Sequence, residues 1–239
     1  MSLAGALVAG AAVTGVYVTG TDTGAGKTTA SAVLLHALRA RGVRAVGMKP
    51  LASGCERDGD GRWRNDDALA LQAASDPRPA YDDVNPFALP LPVAPEFAAR
   101  EAGIEVSLPP ILAAHARLAA QADFVLVEGV GGWLAPLAAT LDHADLVRAL
   151  DLPVVLVVGL RLGCLNHARL SARAIEADGA RLTGWIASEV DPGMDRRDEN
   201  FEALRARLPA PCLGRLPWSP SPDPAALAAN LRTDCLMLR

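Results

Sequence analysis

Three observations predict an α/β fold, a parallel sheet with helices on both faces. Short β-branched runs bounded by glycine or proline recur along the chain. Stretches with helical spacing separate them. One run passes directly into a glycine-rich loop and a helix start. The runs are Gly15–Gly20 (GVYVTG), Asp123–Gly129 (DFVLVEG) and Pro153–Gly159 (PVVLVVG). Each is too short for a typical helix and almost continuously apolar, as a strand covered on both faces should be. Val43–Lys49, Leu182–Ser188 and Cys212–Leu216 are weaker candidates of the same kind.

The helical stretches follow in order. Thr28–Arg41 places Val33, Leu34 and Leu38 on one side and stops at Gly42. Asp66–Ala74, Pro110–Gln121, Asp142–Leu150, Asn166–Asp178, Asp195–Leu208 and Pro224–Leu231 also read as helices. The proline-rich stretch Ala80–Pro110 reads as a long connection, a lid or an interface arm, because the alternation resumes beyond it. Residues 1–15 read as a flexible or tag-like extension, with Val16–Thr19 the first core strand, and 16–239 as a single domain. The apolar opening lacks a basic n-region and is broken by Gly5, Gly10 and Gly15, which argues against a signal peptide or membrane span.

Bulk properties narrow the function. A chain of 239 residues, 51% hydrophobic and 21% charged, folds instead of staying disordered. A net charge of −4 without a basic block argues against nucleic acid or an anionic membrane as partner. Cys55, Cys164, Cys212 and Cys235 form no CxxC or metal-type spacing and read as reduced thiols of a cytoplasmic protein. His36, His115 and His143 read as surface or half-buried helix residues, and His167 completes no ligand set with them.

The chemistry concentrates where strands end. Gly20–Thr28 (GTDTGAGKT) follows a strand and opens a helix, the context of a phosphate-binding P-loop. Small residues let backbone N–H groups point at phosphate oxygens, and the helix N-terminus adds partial positive charge. Lys27 supplies a full charge, and the Thr28 hydroxyl suits Mg²⁺. The spacing is not the strict one, since its first glycine would fall at Thr21. Glu128 ends the DFVLVEG strand beside glycines 129, 131 and 132, a fitting place for a second Mg²⁺ ligand. In RNDDALALQ, Asn65 or Asp66 can cap a helix, which leaves Asp67 free to face the metal. Lys49 ends another strand, before Pro50, and would add cationic charge over a transferring phosphoryl group.

Taken together, VTGTDTGAGKT (Val18–Thr28), KPLASG (Lys49–Gly54), NDDALALQ (Asn65–Gln72), VLVEGVGGW (Val125–Trp133), LGCLNHA (Leu162–Ala168) and GRLPW (Gly214–Trp218) resemble the dethiobiotin synthetase family. The resemblance covers roughly residues 16–220. It implies a P-loop NTPase-type parallel sheet of about seven strands, and a homodimer with the substrate site at the subunit interface. It implies an ATP- and Mg²⁺-dependent ligase of biotin biosynthesis. Such an enzyme closes the ureido ring of dethiobiotin from 7,8-diaminopelargonic acid and CO₂.

Residue by residue, the resemblance makes Thr23, Lys27, Lys49 and Ser53 catalytic, and Thr28, Asp67 and Glu128 the metal ligands. It assigns nucleotide contacts to Gly24, Ala25, Gly26, Lys27, Thr28, Thr29, Glu128, Ser188, Leu216, Pro217 and Trp218. It assigns substrate contacts to Thr23, Lys49, Ser53 and the stretch Gly163, Cys164, Leu165 and Asn166, with Cys164 contributing its backbone. Gly24 stands where relatives often carry an acid. Ser188 stands where an asparagine commonly reads adenine, and a hydroxyl offers one rotatable oxygen in place of a planar amide. A partition-type switch ATPase is the main rival reading, but Gly20–Gly26 holds no lysine.

Overall fold

A computed structural model of the protein describes residues 14–236. Its main sheet is built from β1 (Thr14–Gly20), β2 (Ala45–Met48), β7 (Phe124–Gly132), β8 (Val154–Leu160), β9 (Leu182–Glu189) and β10 (Cys212–Leu216). The order is β10-β9-β8-β1-β7-β2, and every pairing is parallel. Six strands, not about seven, therefore form the main sheet among the described residues. Further strands pair apart from it. β3 (Leu51–Ser53) joins β6 (Phe87–Leu89), and β4 (Glu56–Arg57) joins β5 (Trp63–Arg64).

The helices are α1 (Lys27–Arg39), α2 (Asp66–Ala74), α3 (Tyr81–Val84), α4 (Pro95–Ala102), α5 (Leu108–Ala119), α6 (His143–Leu150), α7 (Cys164–Ala177) and α8 (Arg197–Arg205). They cover both sheet faces. Val16 and Val18 of β1 pack with Val33, Leu34, Leu35 and Leu38 of α1 and Leu71 of α2. Tyr17, between them, points to the other face, with Ile111 of α5, Leu146 of α6 and Ile175 of α7. That alternation is the period-2 geometry of a strand. Because both faces are covered, β8 is buried at every position, which is why its sequence is apolar without alternation.

Several expectations shift. Of the expected extension, residues 1–13 lie outside the described residues, while Thr14 and Gly15 already belong to β1. The proline-rich connection carries α3, β6 and α4. The helix expected at Pro224–Leu231 is reduced to a single 3-10 turn, Ala228–Asn230. Instead, Leu231 bridges Gly214 of β10, and the Arg232 amide donates to the Leu213 carbonyl at 2.7 Å. Pairing with the open edge of β10 and burial of Leu231 override a weak helical pattern. His143 is not a surface or half-buried residue: it is fully buried.

Strand β1 sits beside β8, and the chain leaves β1 toward β2 on one side but leaves β8 toward β9 on the other, so the connections diverge between these two strands. Parallel sheets bind ligands in the crevice outside the carboxyl ends of strands at such a switch point.

Candidate active site

The loop after β1 opens α1 through Gly26, whose φ of 86° lies in the left-handed region. No side chain caps this helix, so its first N–H groups remain available to an anion. Gly24 also has a positive φ, 72°. A Cβ on either glycine would be strained, and at Gly26 it would run into Ser188.

Four charged side chains from four elements gather beside this loop. Lys49 follows β2, Glu128 lies in β7, Asp67 sits in the first turn of α2, and Lys27 begins α1. The Lys49 ammonium donates to Glu128 Oε1 at 2.6 Å, to Asp67 Oδ2 at 2.9 Å and to the Gly129 carbonyl at 3.2 Å. The Thr28 hydroxyl donates to the same Glu128 Oε1 at 2.9 Å. The Lys27 ammonium donates to the carbonyls of Gly131 at 2.6 Å and Asp22 at 3.1 Å. Asn65, not Asp66, caps α2 by accepting from the Ala68 amide, and this leaves Asp67 facing the cluster.

Burial governs the electrostatics. Lys49 is 2% exposed and Glu128 is fully buried. Burial works to lower the pKa of Lys49, but Glu128 and Asp67 outweigh it and raise the pKa. Asp67 is held below the usual carboxylate range: burial opposes this, and the charge and hydrogen bond of Lys49 prevail. Lys27 has no carboxylate partner of its own. Burial and the nearby Lys49 push it down to about 8. A polyanion in the cleft would reverse that shift, because it would favour the charged ammonium.

A cleft of about 690 Å³ opens over the cluster. It is lined by the expected Thr23, Gly24, Gly26, Lys27, Thr28, Thr29, Lys49, Ser53 and Asp67. Ala25 is buried behind the loop, and Glu128 lies beneath it. Ser188 is buried against Gly26, and Leu216 pairs beside it in β10. Pro217 and Trp218 are exposed just beyond that strand. Gly163, Cys164, Leu165 and Asn166 do not line the cleft. They open α7, where Gly163 has φ 95° and no side chain caps the helix. Arg161, just before them, pairs with Asp22 of the P-loop at 3.0 Å. The Cys164 thiol is buried in the core and its pKa is raised, chiefly by burial. It therefore has none of the thiolate character of a nucleophile.

Sequence reasoning missed several contributors. The carbonyls of Asp22, Gly129 and Gly131 hold the two lysines, and a backbone atom leaves no mark in residue type. The glycines after Glu128 were the only signal. Pro92, Val93, Ala94 and Pro95 form a wall of the cleft, and Val130 and Ala135 add to it. The proline-rich connection was legible as a candidate lid or arm, not as a wall.

The donor set also suits a hard cation. Thr28, Asp67 and Glu128 offer only oxygen, and Glu128 Oε2 is buried without a hydrogen-bond partner among the described residues. Two carboxylates and a hydroxyl fit Mg²⁺, which normally shares its coordination with phosphate and water. Among the described residues no cluster of three or more His, Cys, Asp or Glu could hold a metal by itself.

A family model described as an AAA domain matches residues 14–226. The protein named ATP-dependent dethiobiotin synthetase BioD from Xanthomonas oryzae pv. oryzae (strain PXO99A) is 67% identical over 186 residues, covering 78% of this chain and 83% of its own length. The protein of the same name from Xylella fastidiosa (strain 9a5c) is 65% identical over 186 residues, covering 77% of this chain and 82% of its own. Two solved structures share the fold at 14% identity. FtsY from Elizabethkingia anophelis in complex with GDP has a TM-score of 0.51 and covers 98% of this chain and 67% of its own. The MinC:MinD complex of Aquifex aeolicus has a TM-score of 0.51 and covers 87% of this chain and 83% of its own.

Proposed function

The chain belongs to the ATP-dependent dethiobiotin synthetase family, and from that premise we propose how its residues carry the reaction. It is an ATP-dependent ligase that forms the ureido ring of dethiobiotin. The substrates are 7,8-diaminopelargonic acid, CO₂ and ATP; the products are dethiobiotin, ADP and phosphate.

One unprotonated amine of the substrate captures CO₂ as a carbamate and gives up a proton to solvent. The carbamate oxygen attacks the γ-phosphorus and ADP leaves, giving a carbamic-phosphoric anhydride. The second amine attacks that carbonyl, the ring closes, phosphate is expelled, and the amine proton is released. The protein contributes position and charge, and no covalent enzyme intermediate is needed.

The supporting observation is the lysine between two carboxylates. Lys49, held 2.6 Å from Glu128 and 2.9 Å from Asp67, is a preorganised cation lining the cleft. With Lys27 it neutralises charge as the phosphoryl group transfers. Backbone N–H groups of Gly24, Ala25 and Gly26 and the start of α1 cradle the phosphates, with Thr29 beside them. Thr23 and Ser53 contact the carbamate. Thr28, Asp67 and Glu128 would hold Mg²⁺. When bound, Mg²⁺ offsets the negative charge of the β- and γ-phosphates. Ser188, Leu216, Pro217 and Trp218 receive the base.

Gly163, Cys164, Leu165 and Asn166 bind the substrate's carboxylate tail through the open start of α7. Their position outside the cleft supports a homodimer in which each copy completes the other's site. Leu162, 93% exposed beside that turn, supports the same reading. The four cysteines are free thiols, which supports a cytoplasmic location. No described helix is long and apolar enough to cross a membrane.

The test is ADP release by the purified protein. Release should require ATP, the diamine and bicarbonate together. Equal release without the diamine refutes the assignment.

A further inference from the structure

Beneath the end of β7 that follows Glu128 lies an aromatic floor that the proposed mechanism does not use. Tyr17 in β1 and His143 at the start of α6 are both fully buried and share a hydrogen bond of 2.7 Å between the Tyr17 hydroxyl and His143 Nδ1. Trp133 stands edge-on to Tyr17, with ring centres 6.4 Å apart, and lies 6.1 Å from the His143 ring. Its own indole N–H is anchored on Asp178 at 2.7 Å. Leu137, Leu141 and Leu146 belong to the same packed cluster.

The strand end rests directly on this floor. A Cβ at Gly129 would lie 2.7 Å from the Tyr17 hydroxyl and 2.9 Å from the His143 imidazole. Only a glycine can come so close. The Gly129 carbonyl accepts from Lys49, and two residues on the Gly131 carbonyl accepts from Lys27. The height of this strand end above the ring pair thus bears on the placement of both ammonium groups.

We infer that Tyr17 and His143 are positioning residues for the ligation: they prop Gly129–Gly131 so that both lysines face the transferring phosphoryl group. The inference rests on the roles given above to Lys27 and Lys49. Neither ring lines the cleft. The required precision is high, because a displacement of about 1 Å can cost on the order of a hundredfold in rate.

The test uses the full-length protein with ATP, diamine and bicarbonate. His143→Ala removes the prop, whereas His143→Phe keeps a ring of similar outline. In His143→Ala, kcat should fall about tenfold or more while the KM for ATP stays within about threefold. His143→Phe, which loses only the hydrogen bond to Tyr17, should recover to within about threefold of the wild-type rate. Wild-type kcat in His143→Ala, or an equal loss in His143→Phe, overturns the inference. Tyr17→Phe deletes a single oxygen and guards against misfolding of the alanine variant. Its kcat per folded molecule should fall about threefold with the KM for ATP retained. An unchanged kcat in a cooperatively melting Tyr17→Phe protein also overturns it. A wild-type protein that releases ADP without diamine takes down the ligase reading and this inference together. A competent wild type with unaffected variants takes down the inference alone.

Discussion

The centre and the flank of the sheet's carboxyl edge are built on opposite plans. At the centre, around β1, β2 and β7, charge is buried and paired: Lys49 is 2% exposed and its partner Glu128 is fully buried. On the flank, beyond β8 and β10, the parts are open: Leu162 is 93% exposed and Trp218 45%. A buried ion pair is costly to desolvate, and removing one partner leaves an uncompensated charge. Such a cluster is kept where its geometry matters more than its net stability. The flank has the converse character. Its exposed side chains Leu162 and Trp218 leave apolar surface uncovered. On the proposed reading, the phosphoryl chemistry is preorganised within one chain, whereas base and tail recognition await a ligand or a second copy.

The sharpest way to break this contrast is at the centre. Lys49→Ala should lower the ligation rate by at least about a hundredfold, the scale for losing one preorganised stabilising group. Steady-state ADP release measures it, with circular dichroism to confirm the fold. Turnover near the wild-type level would show that the buried cluster is structural.

The dryness of the centre makes a second, intermediate effect. Burial, with Lys27 adding to it, holds His143 neutral by pushing its pKa from 6.5 down to about 3. The unfolded chain binds this proton near pH 6.5 and the folded chain does not, so stability falls as pH drops from about 6.5 towards 3. His143→Phe should remove that part of the dependence, about 1.4 kcal/mol per pH unit, as the difference between urea denaturation curves at several pH values. Parallel stability profiles for the two proteins would mean that solvent reaches the ring.

The smallest effect belongs to the flank. Cys164→Ser leaves the backbone of the α7 turn in place and should change kcat by less than about twofold, with a modest loss of stability from placing a hydroxyl in the core. A large loss of kcat at unchanged stability would give the thiol itself a role in the reaction and sharpen the flank into a chemical site.

Much of the site was legible because charged residues at strand tips and a GKT helix start follow from local rules. Lys27, Thr28, Lys49, Asp67 and Glu128 all meet in one cluster. The carbonyl cradle of Gly129 and Gly131 was not legible, since backbone acceptors carry no residue signature. His143 misled in the same way. Its helix position is ordinary, and its burial depends on Tyr17, which lies 126 residues away in sequence.

By itself, the sequence determined the parallel α/β architecture, the phosphate loop and the identities of the charged groups. Apolar periodicity, glycine placement and capping act over a few residues and are written in local order. The tertiary structure alone decided the count of six strands, the collapse of the expected last helix onto β10, the wall made by Pro92–Pro95 and the burial of the Tyr17–His143 pair. Those outcomes depend on contacts between distant segments, where packing of the whole core outweighs local preference.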